Sequence, residues 1–245
     1  MVISGWELKY REILMEFKYD MKQDIESAKA LDLIVKKPYS INKLEELIVG
    51  KPVIVVGAGP SLLHALPFLK KFKHITKIVA DSAVDTIVGK KINPNIVVTD
   101  LDGDESYLKK IGKTDTVFVV HAHGDNIKRL NLTKHFKNCI CSTQAEPFGK
   151  VQNFGGFTDG DRAVFLASYF NAKSIIMCGM DLEGKIGKFS HTKQSEFKVK
   201  LKKLQKAKEL LEWLSTKSKS ELFTTSYPIT GFKKISYNDI DDIIT

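Results

Sequence analysis

Apolar positions recur at helical spacing at the start of the chain. Trp6, Tyr10, Ile13, Leu14, Phe17, Met21 and Ile25 form one stripe, which predicts helix within residues 5–34. Residues 40–49 predict a short helix with Ser40 as its N-cap. The period then changes. Six short β-rich runs follow, at 53–56, 77–80, 96–99, 116–120, 139–141 and 174–178. They are nearly continuous in apolar residues rather than alternating, which is how strands buried on both faces read. Helix-like stretches lie between several of them, notably 61–72, 126–136 and 160–171. Strands alternating with helices imply parallel pairing. The expected fold class is α/β: a Rossmann-like, mostly parallel sheet with flanking helices, a helical N-terminal extension and a lysine-rich C-terminal helix. The chain divides into a helical N-terminal region (1–48), an α/β catalytic domain (49–192) and a C-terminal helix and tail packing on that domain (193–245). Residues 221–226 and 229–245 add a strand and a short terminal helix.

Composition narrows the class without naming a function. Of 245 residues, 43% are apolar and 27% charged, so disordered, collagenous and coiled-coil readings fail for the whole chain. No apolar run approaches the roughly 18 residues of a membrane span. The N-terminus carries acids within its apolar pattern and lacks a signal-peptide core. Cys139, Cys141 and Cys178 form no CxxC pair and sit in strand-like runs. Buried thiols in a reducing, cytoplasmic setting are therefore expected.

The net charge of +9 is unevenly placed. Residues 193–219 hold nine lysines against Glu196, Glu209 and Glu212. Phe197, Leu201, Leu204, Leu211 and Leu214 recur there at helical spacing, so the segment reads as an amphipathic helix with a lysine-coated outer face. Such a face is solvated or attracts anions. Only three arginines occur (Arg11, Arg129, Arg162), which disfavours nucleic acid as a partner.

In an open parallel sheet the ligand crevice lies beyond the carboxyl ends of the strands. Those positions carry Gly57-Ala58-Gly59-Pro60-Ser61, Asp81-Ser82, Asp100-Leu101-Asp102-Gly103-Asp104, His121-Ala122-His123-Gly124-Asp125-Asn126 and Gly179-Met180-Asp181. A further cluster, Thr158-Asp159-Gly160-Asp161-Arg162, opens the helix before the last of the six runs. Eight aspartates thus collect on one edge of a basic chain, an arrangement that repels itself unless cations occupy it. Asp100 and Asp102, two residues apart after a strand, can reach one hard cation such as Mg²⁺. The Gly57–Ser61 turn offers amides to a phosphate or carboxylate, with Ser61 as N-cap. Alternatively it is a tight turn with no ligand. Asp81 follows Gly59 at the distance of a ribose-binding acid, but Leu62 occupies the third glycine of the dinucleotide fingerprint. His121 and His123 lack a third zinc ligand. Thr158, Asp159 and Asp161 suit either a ligand or the helix dipole. No P-loop, GxSxG or HExxH occurs. Metal-assisted nucleotide chemistry remains.

The series VVGAGPSL (55–62), ADSA (80–83), PNIVVTDLDG (94–103), HAHGDN (121–126), GFTDGDRAVFLA (156–167) and CGMDLEG (178–184) resembles the archaeal 6-hydroxymethyl-7,8-dihydropterin pyrophosphokinase family. The resemblance covers about residues 50–190. That family is similar in turn to thiamin pyrophosphokinase, with ADSA, TDLDG and FTDGD standing where ADGG, GDFDS and the aspartate-rich TD motif stand there. Ser82 departs from that pattern. The resemblance implies transfer of diphosphate from ATP to the pterin, releasing AMP. It implies Asp100, Asp102 and Asp125 as Mg²⁺ ligands and Asp159 as a further catalytic carboxylate. Gly57, Gly59, Ser61, Asp81, His123, Asn126, Thr158, Asp161, Arg162 and Asp181 would bind nucleotide or pterin. The helical ends offer surfaces for a homo-oligomer. Two other readings stand beside it: a nucleotide-sugar glycosyltransferase of the flagellin-glycosylation type, and a non-enzymatic nucleotide- or nucleic-acid-binding module.

Overall fold

A computed structural model describes residues 2–183 and 194–244. Gly184 of the CGMDLEG motif, Lys193 of the basic segment and the expected boundary at 192/193 lie outside the described residues. Helices α1 (Trp6–Phe17) and α2 (Met21–Ile34) divide the first periodic stretch. Lys18 adopts φ 56°, which ends α1, and the Asp20 carboxylate accepts from the Lys22 amide to cap α2. Helix α3 (Ile41–Glu46) starts at Ser40, whose hydroxyl accepts from the Lys43 amide.

Strands β1 (Pro52–Val56), β2 (Thr76–Ala80), β3 (Ile96–Thr99), β4 (Val117–Ala122), β5 (Asn138–Thr143) and β7 (Ser174–Cys178) fall on the six apolar runs. Shorter strands β6 (Val151–Gln152), β8 (Glu221–Thr224) and β9 (Lys233–Lys234) extend the sheet. Among the described residues the order is β6-β5-β4-β3-β2-β1-β7-β8-β9, and every pair is parallel. The crossovers are α4 (Leu62–Lys71), α5 (Val84–Gly89), α6 (Glu105–Gly112), α7 (Asp159–Tyr169) and α8 (Phe197–Ser215), with α9 (Ile240–Ile244) at the end. The stretch after β4 is a 3-10 run, Gly124–His135, rather than an α-helix.

Residue alternation divides the interior into two cores. Ile54, Val56, Val79, Val97, Phe118 and Val120 face one, against α2, α4, α5 and α6. Val53, Val55, Ile78, Ile96, Val98 and Val119 face the other, against α1, α3, α7 and α8. Residues 1–48 therefore contribute to both: Trp6, Tyr10 and Ile13 to the second, Ala28 and Leu31 to the first. All three cysteines are free and buried, and burial raises the Cys178 thiol to about 12. Among the described residues no helix is long and apolar enough to cross a membrane.

Candidate active site

Parallel strands end on one edge of the sheet, and three adjacent elements bring four carboxylates together there. Asp81 follows β2, Asp100 and Asp102 follow β3, and Asp159 opens α7. One carboxylate oxygen from each lies within 4.8 Å of the others. Asp81 is buried; its Oδ2 accepts from the Thr99 hydroxyl and from the Gly103 amide at 3.1 Å, while its Oδ1 has no protein partner. Asp100 Oδ2 lies 3.4 Å from His123 Nε2. Asp159 Oδ1 accepts from Arg162 Nη1 at 3.1 Å, one turn along α7, with both side chains nearly buried. Asp102 stands exposed at the rim.

Burial and mutual repulsion set the charge states. Burial lifts the Asp81 carboxyl to about 7, with the Asp102 and Asp100 charges adding to the effect. Desolvation, then the Asp100 charge, raises Asp102 to about 6 although the residue reaches solvent. Burial followed by the Asp100 charge pushes Asp159 well above the usual carboxylate range, against the pull of Arg162. At Asp100 burial acts upward too, but His123 and Arg162 outweigh it and hold the group far below its usual value. The donor set is all oxygen, partly desolvated, with one buried oxygen unsatisfied. That suits a hard divalent cation rather than zinc or copper.

Several residues expected at the ligand are engaged within the protein. The Gly57 amide donates to the Cys178 carbonyl at 2.9 Å and the Gly59 amide to the Gly179 carbonyl at 2.8 Å. Ser61 does not cap α4 with its hydroxyl; that group donates to Asp181 Oδ2 at 2.8 Å, beside the Ser61 amide at 2.7 Å. Asp181 is thus the anion at the start of α4, supplied by the chain itself. The glycines permit close approach of the loop after β7. A Cβ on Gly57 would lie 2.6 Å from Met180 Sδ and 2.7 Å from the Gly179 carbonyl oxygen.

Asp161 is fully buried and accepts from the Phe157 amide (2.7 Å), the Thr158 amide (2.7 Å) and the Thr158 hydroxyl (2.5 Å). Both residues thereby shape the start of α7. Gly156, at φ 90°, lets the backbone pass against Arg162. Asp125, expected with Asp100 and Asp102, is exposed and outside the four-carboxylate group. His121 belongs to β4 and is buried, with burial driving its pKa well down, so it is neutral.

Two cations at the site escaped the sequence reading. The positive charges of Lys200, near the start of α8, and Arg129, in the 3-10 run, both act on Asp102. Arg129 Nη2 also donates to the Gly103 carbonyl at 3.3 Å. The sequence offers little signal for either, since lysines crowd all of α8. Much of that lysine face is used internally. Lys202 and Lys206 pair with Glu16 of α1, Lys208 pairs with Glu183, and Lys203 lies 5.9 Å from the Tyr19 and Phe157 ring centres.

Residues 27–187 match the family model described as 6-hydroxymethylpterin diphosphokinase MptE-like. The match begins inside α2, so it takes in part of the N-terminal helices. Three curated relatives are each named 6-hydroxymethyl-7,8-dihydropterin pyrophosphokinase. The protein of Pyrococcus furiosus is 42% identical, over 90% of this chain and 97% of its own. That of Methanocaldococcus jannaschii is 37% identical, over 90% and 99% respectively. That of Methanothermobacter thermautotrophicus is 37% identical, over 87% and 95%. A solved structure, the MAf glycosyltransferase from Magnetospirillum magneticum AMB-1, matches with a TM-score of 0.59 at 13% identity. It is matched over 89% of this chain but only 38% of its own length, and the likeness is one of fold alone. On its motifs, its fold and this match across most of its length, the chain belongs to the MptE-like 6-hydroxymethylpterin diphosphokinase family.

Proposed function

We propose that this protein transfers the terminal diphosphate of ATP to the hydroxymethyl group of 6-hydroxymethyl-7,8-dihydropterin, releasing AMP. The observation that carries the reading is the meeting of Asp81, Asp100, Asp102 and Asp159 on one sheet edge, within the region the family shares. In the reaction the pterin oxygen bonds to the β-phosphorus. The bond from that phosphorus to the α–β bridging oxygen breaks, AMP departs with the oxygen, and the pterin hydroxyl loses its proton.

Asp100 and Asp102 would hold Mg²⁺, with Asp81 as the third carboxylate in place of Asp125. When bound, the ion neutralises phosphate oxygens and stabilises charge developing on the transferred group. Asp159 is the carboxylate suited to take the hydroxyl proton: its burial makes it more basic, and Arg162 fixes its direction. Lys200 and Arg129 flank Asp102 and would contact the polyphosphate. His123 orients Asp100. Asp161, Thr158, Asp181, Ser61, Gly57 and Gly59 build the walls that carry these groups.

The deciding experiment is AMP formation from ATP and Mg²⁺ with and without the pterin. Pterin-dependent AMP is expected; its absence, or ADP as the product, overturns the reading. A pH dependence follows from the raised carboxyls. Cations bind the ionised forms, so Mn²⁺ affinity is expected to rise with pH across the Asp102 and Asp81 values of about 6 and about 7. Calorimetry at the lower end, in two buffers of different ionisation enthalpy, should detect proton release. An affinity flat with pH would contradict these charge states. In the metal-free protein the linkage has the opposite sense. Both groups hold protons that the unfolded chain has already released, so stability falls as pH rises from the unfolded aspartate value of about 4 towards 7.

A further inference from the structure

We propose that Asn126 is a positioning residue that fixes Asp100 against His123, and that α2 takes part in this through Ser27. The inference rests on the metal-holding role assigned to Asp100 above. Asn126 is 4% exposed, so its carboxamide must find partners within the protein. Its Nδ2 donates to the Asp100 carbonyl at 2.7 Å and to the His121 carbonyl at 2.7 Å. Its Oδ1 accepts from the His123 amide at 3.1 Å and from the Ser27 hydroxyl at 3.1 Å. Two carbonyls face the nitrogen and an N–H faces the oxygen, so only one orientation of the amide fits. All four hydrogen-bonding places are filled, and none remains for a nucleotide or a pterin.

The partners give these bonds their meaning. Asp100 and His123 come from the ends of different strands, β3 and β4, and their side chains meet at 3.4 Å. Asn126 holds the backbone of both residues of that pair at once. Its own position is set from outside the sheet. Ser27 of α2 reaches it, and the buried Asp24, one turn earlier, accepts from the Gly124 amide at 2.9 Å. Asp24 is secured in turn by the Tyr10 hydroxyl and Gln144 Nε2, both at 2.7 Å. The N-terminal helices thereby reach the metal-side carboxylate through one side chain.

The test is Mn²⁺ binding to the full chain, followed by electron paramagnetic resonance, for Asn126→Ala and Ser27→Ala. Loss of a residue that orients a metal ligand weakens metal binding about 10–100-fold, and Asn126→Ala is expected in that range. Ser27→Ala should shift in the same direction by less. In pterin-dependent AMP formation, kcat should fall and the Mn²⁺ concentration for half-maximal rate should rise, with the KM for pterin unchanged. A purely structural role would lower the melting temperature without separating these constants. A folded Asn126→Ala that binds Mn²⁺ as the wild type does overturns the proposal. If Asn126→Ala does not fold, wild-type Mn²⁺ affinity in Ser27→Ala overturns it. A wild type that binds Mn²⁺ but makes no pterin-dependent AMP overturns only the reaction; one that binds no Mn²⁺ overturns the positioning role as well.

Discussion

Replacing Asp100 and Asp102 together by Asn is expected to lower pterin-dependent AMP formation at least about a thousandfold, since a metal ion contributes several kcal/mol to the transition state and about 1.4 kcal/mol is a factor of ten. The fold should survive. Charge at Asp102 is unfavourable in the folded protein, because desolvation and the neighbouring Asp100 charge raise its pKa to about 6. Removing that charge stabilises near neutral pH. Asp100 acts oppositely, since His123 and Arg162 favour its ionised form. The two effects oppose each other, and the variant should still unfold in one cooperative transition. The variant should also lose the rise in melting temperature that divalent cation gives the parent. A double variant that keeps a tenth of the activity would remove these carboxylates from the reaction.

Gly59→Ala is expected to destabilise the protein by about 2.5–6 kcal/mol, combining overpacking of about 1–3 kcal/mol with loss of charge-assisted bonds of about 1.5–3 kcal/mol. The added methyl would run into Asp181 Oδ2 and lie 2.7 Å from the Gly179 carbonyl oxygen. To make room, Asp181 must leave the Ser61 amide and hydroxyl, which it holds at 2.7 and 2.8 Å. The loops after β1 and β7 would then separate. Denaturant unfolding reads this directly. If the glycine instead faces a bound phosphate, stability would be unchanged and only ATP affinity would fall. That result would reverse the assignment.

The two glycine readings differ for a reason that applies across the site. Fully buried parallel strands leave a clear trace, since each of the six is a short run built around Val, Ile or Cys and closed by a turn. Asp100 and Asp102 stand out in the sequence because two carboxylates two residues apart after a strand suit a shared hard cation. Asp161 and Asp181 carry the same chemistry, but Asp161 accepts from amides at the start of its own helix α7 and Asp181 from the Ser61 amide at the start of α4. An acid before a helix looks alike in sequence whether it faces a ligand or its own amides. Asn126 stands out in the sequence as a residue of the candidate site; its bonds to His121 and His123 are local, but those to Ser27 of α2 and to Asp100 after β3 join segments that no local pattern links. Lys200 was hidden among similar lysines. The shortest strands, β6 and β9, are two residues each and carry no periodicity to read.

The strand order has a consequence for how the chain folds during synthesis. From β1 to β6 each strand pairs with its sequence neighbour, so the sheet can grow outward as residues emerge. The other edge of β1 waits for β7, whose residues Ser174–Cys178 come more than a hundred positions later. Until then Val53–Val56 present one edge of unpaired N–H and C=O groups flanked by wholly apolar side chains, the kind of edge on which nascent chains aggregate. Closing it also brings Gly179 and Asp181 against Gly57, Gly59 and Ser61. The docking of the last third of the chain is therefore expected to be the slow, non-local step of folding. A ribosome pausing before residue 178 would hold the protein at its most vulnerable stage.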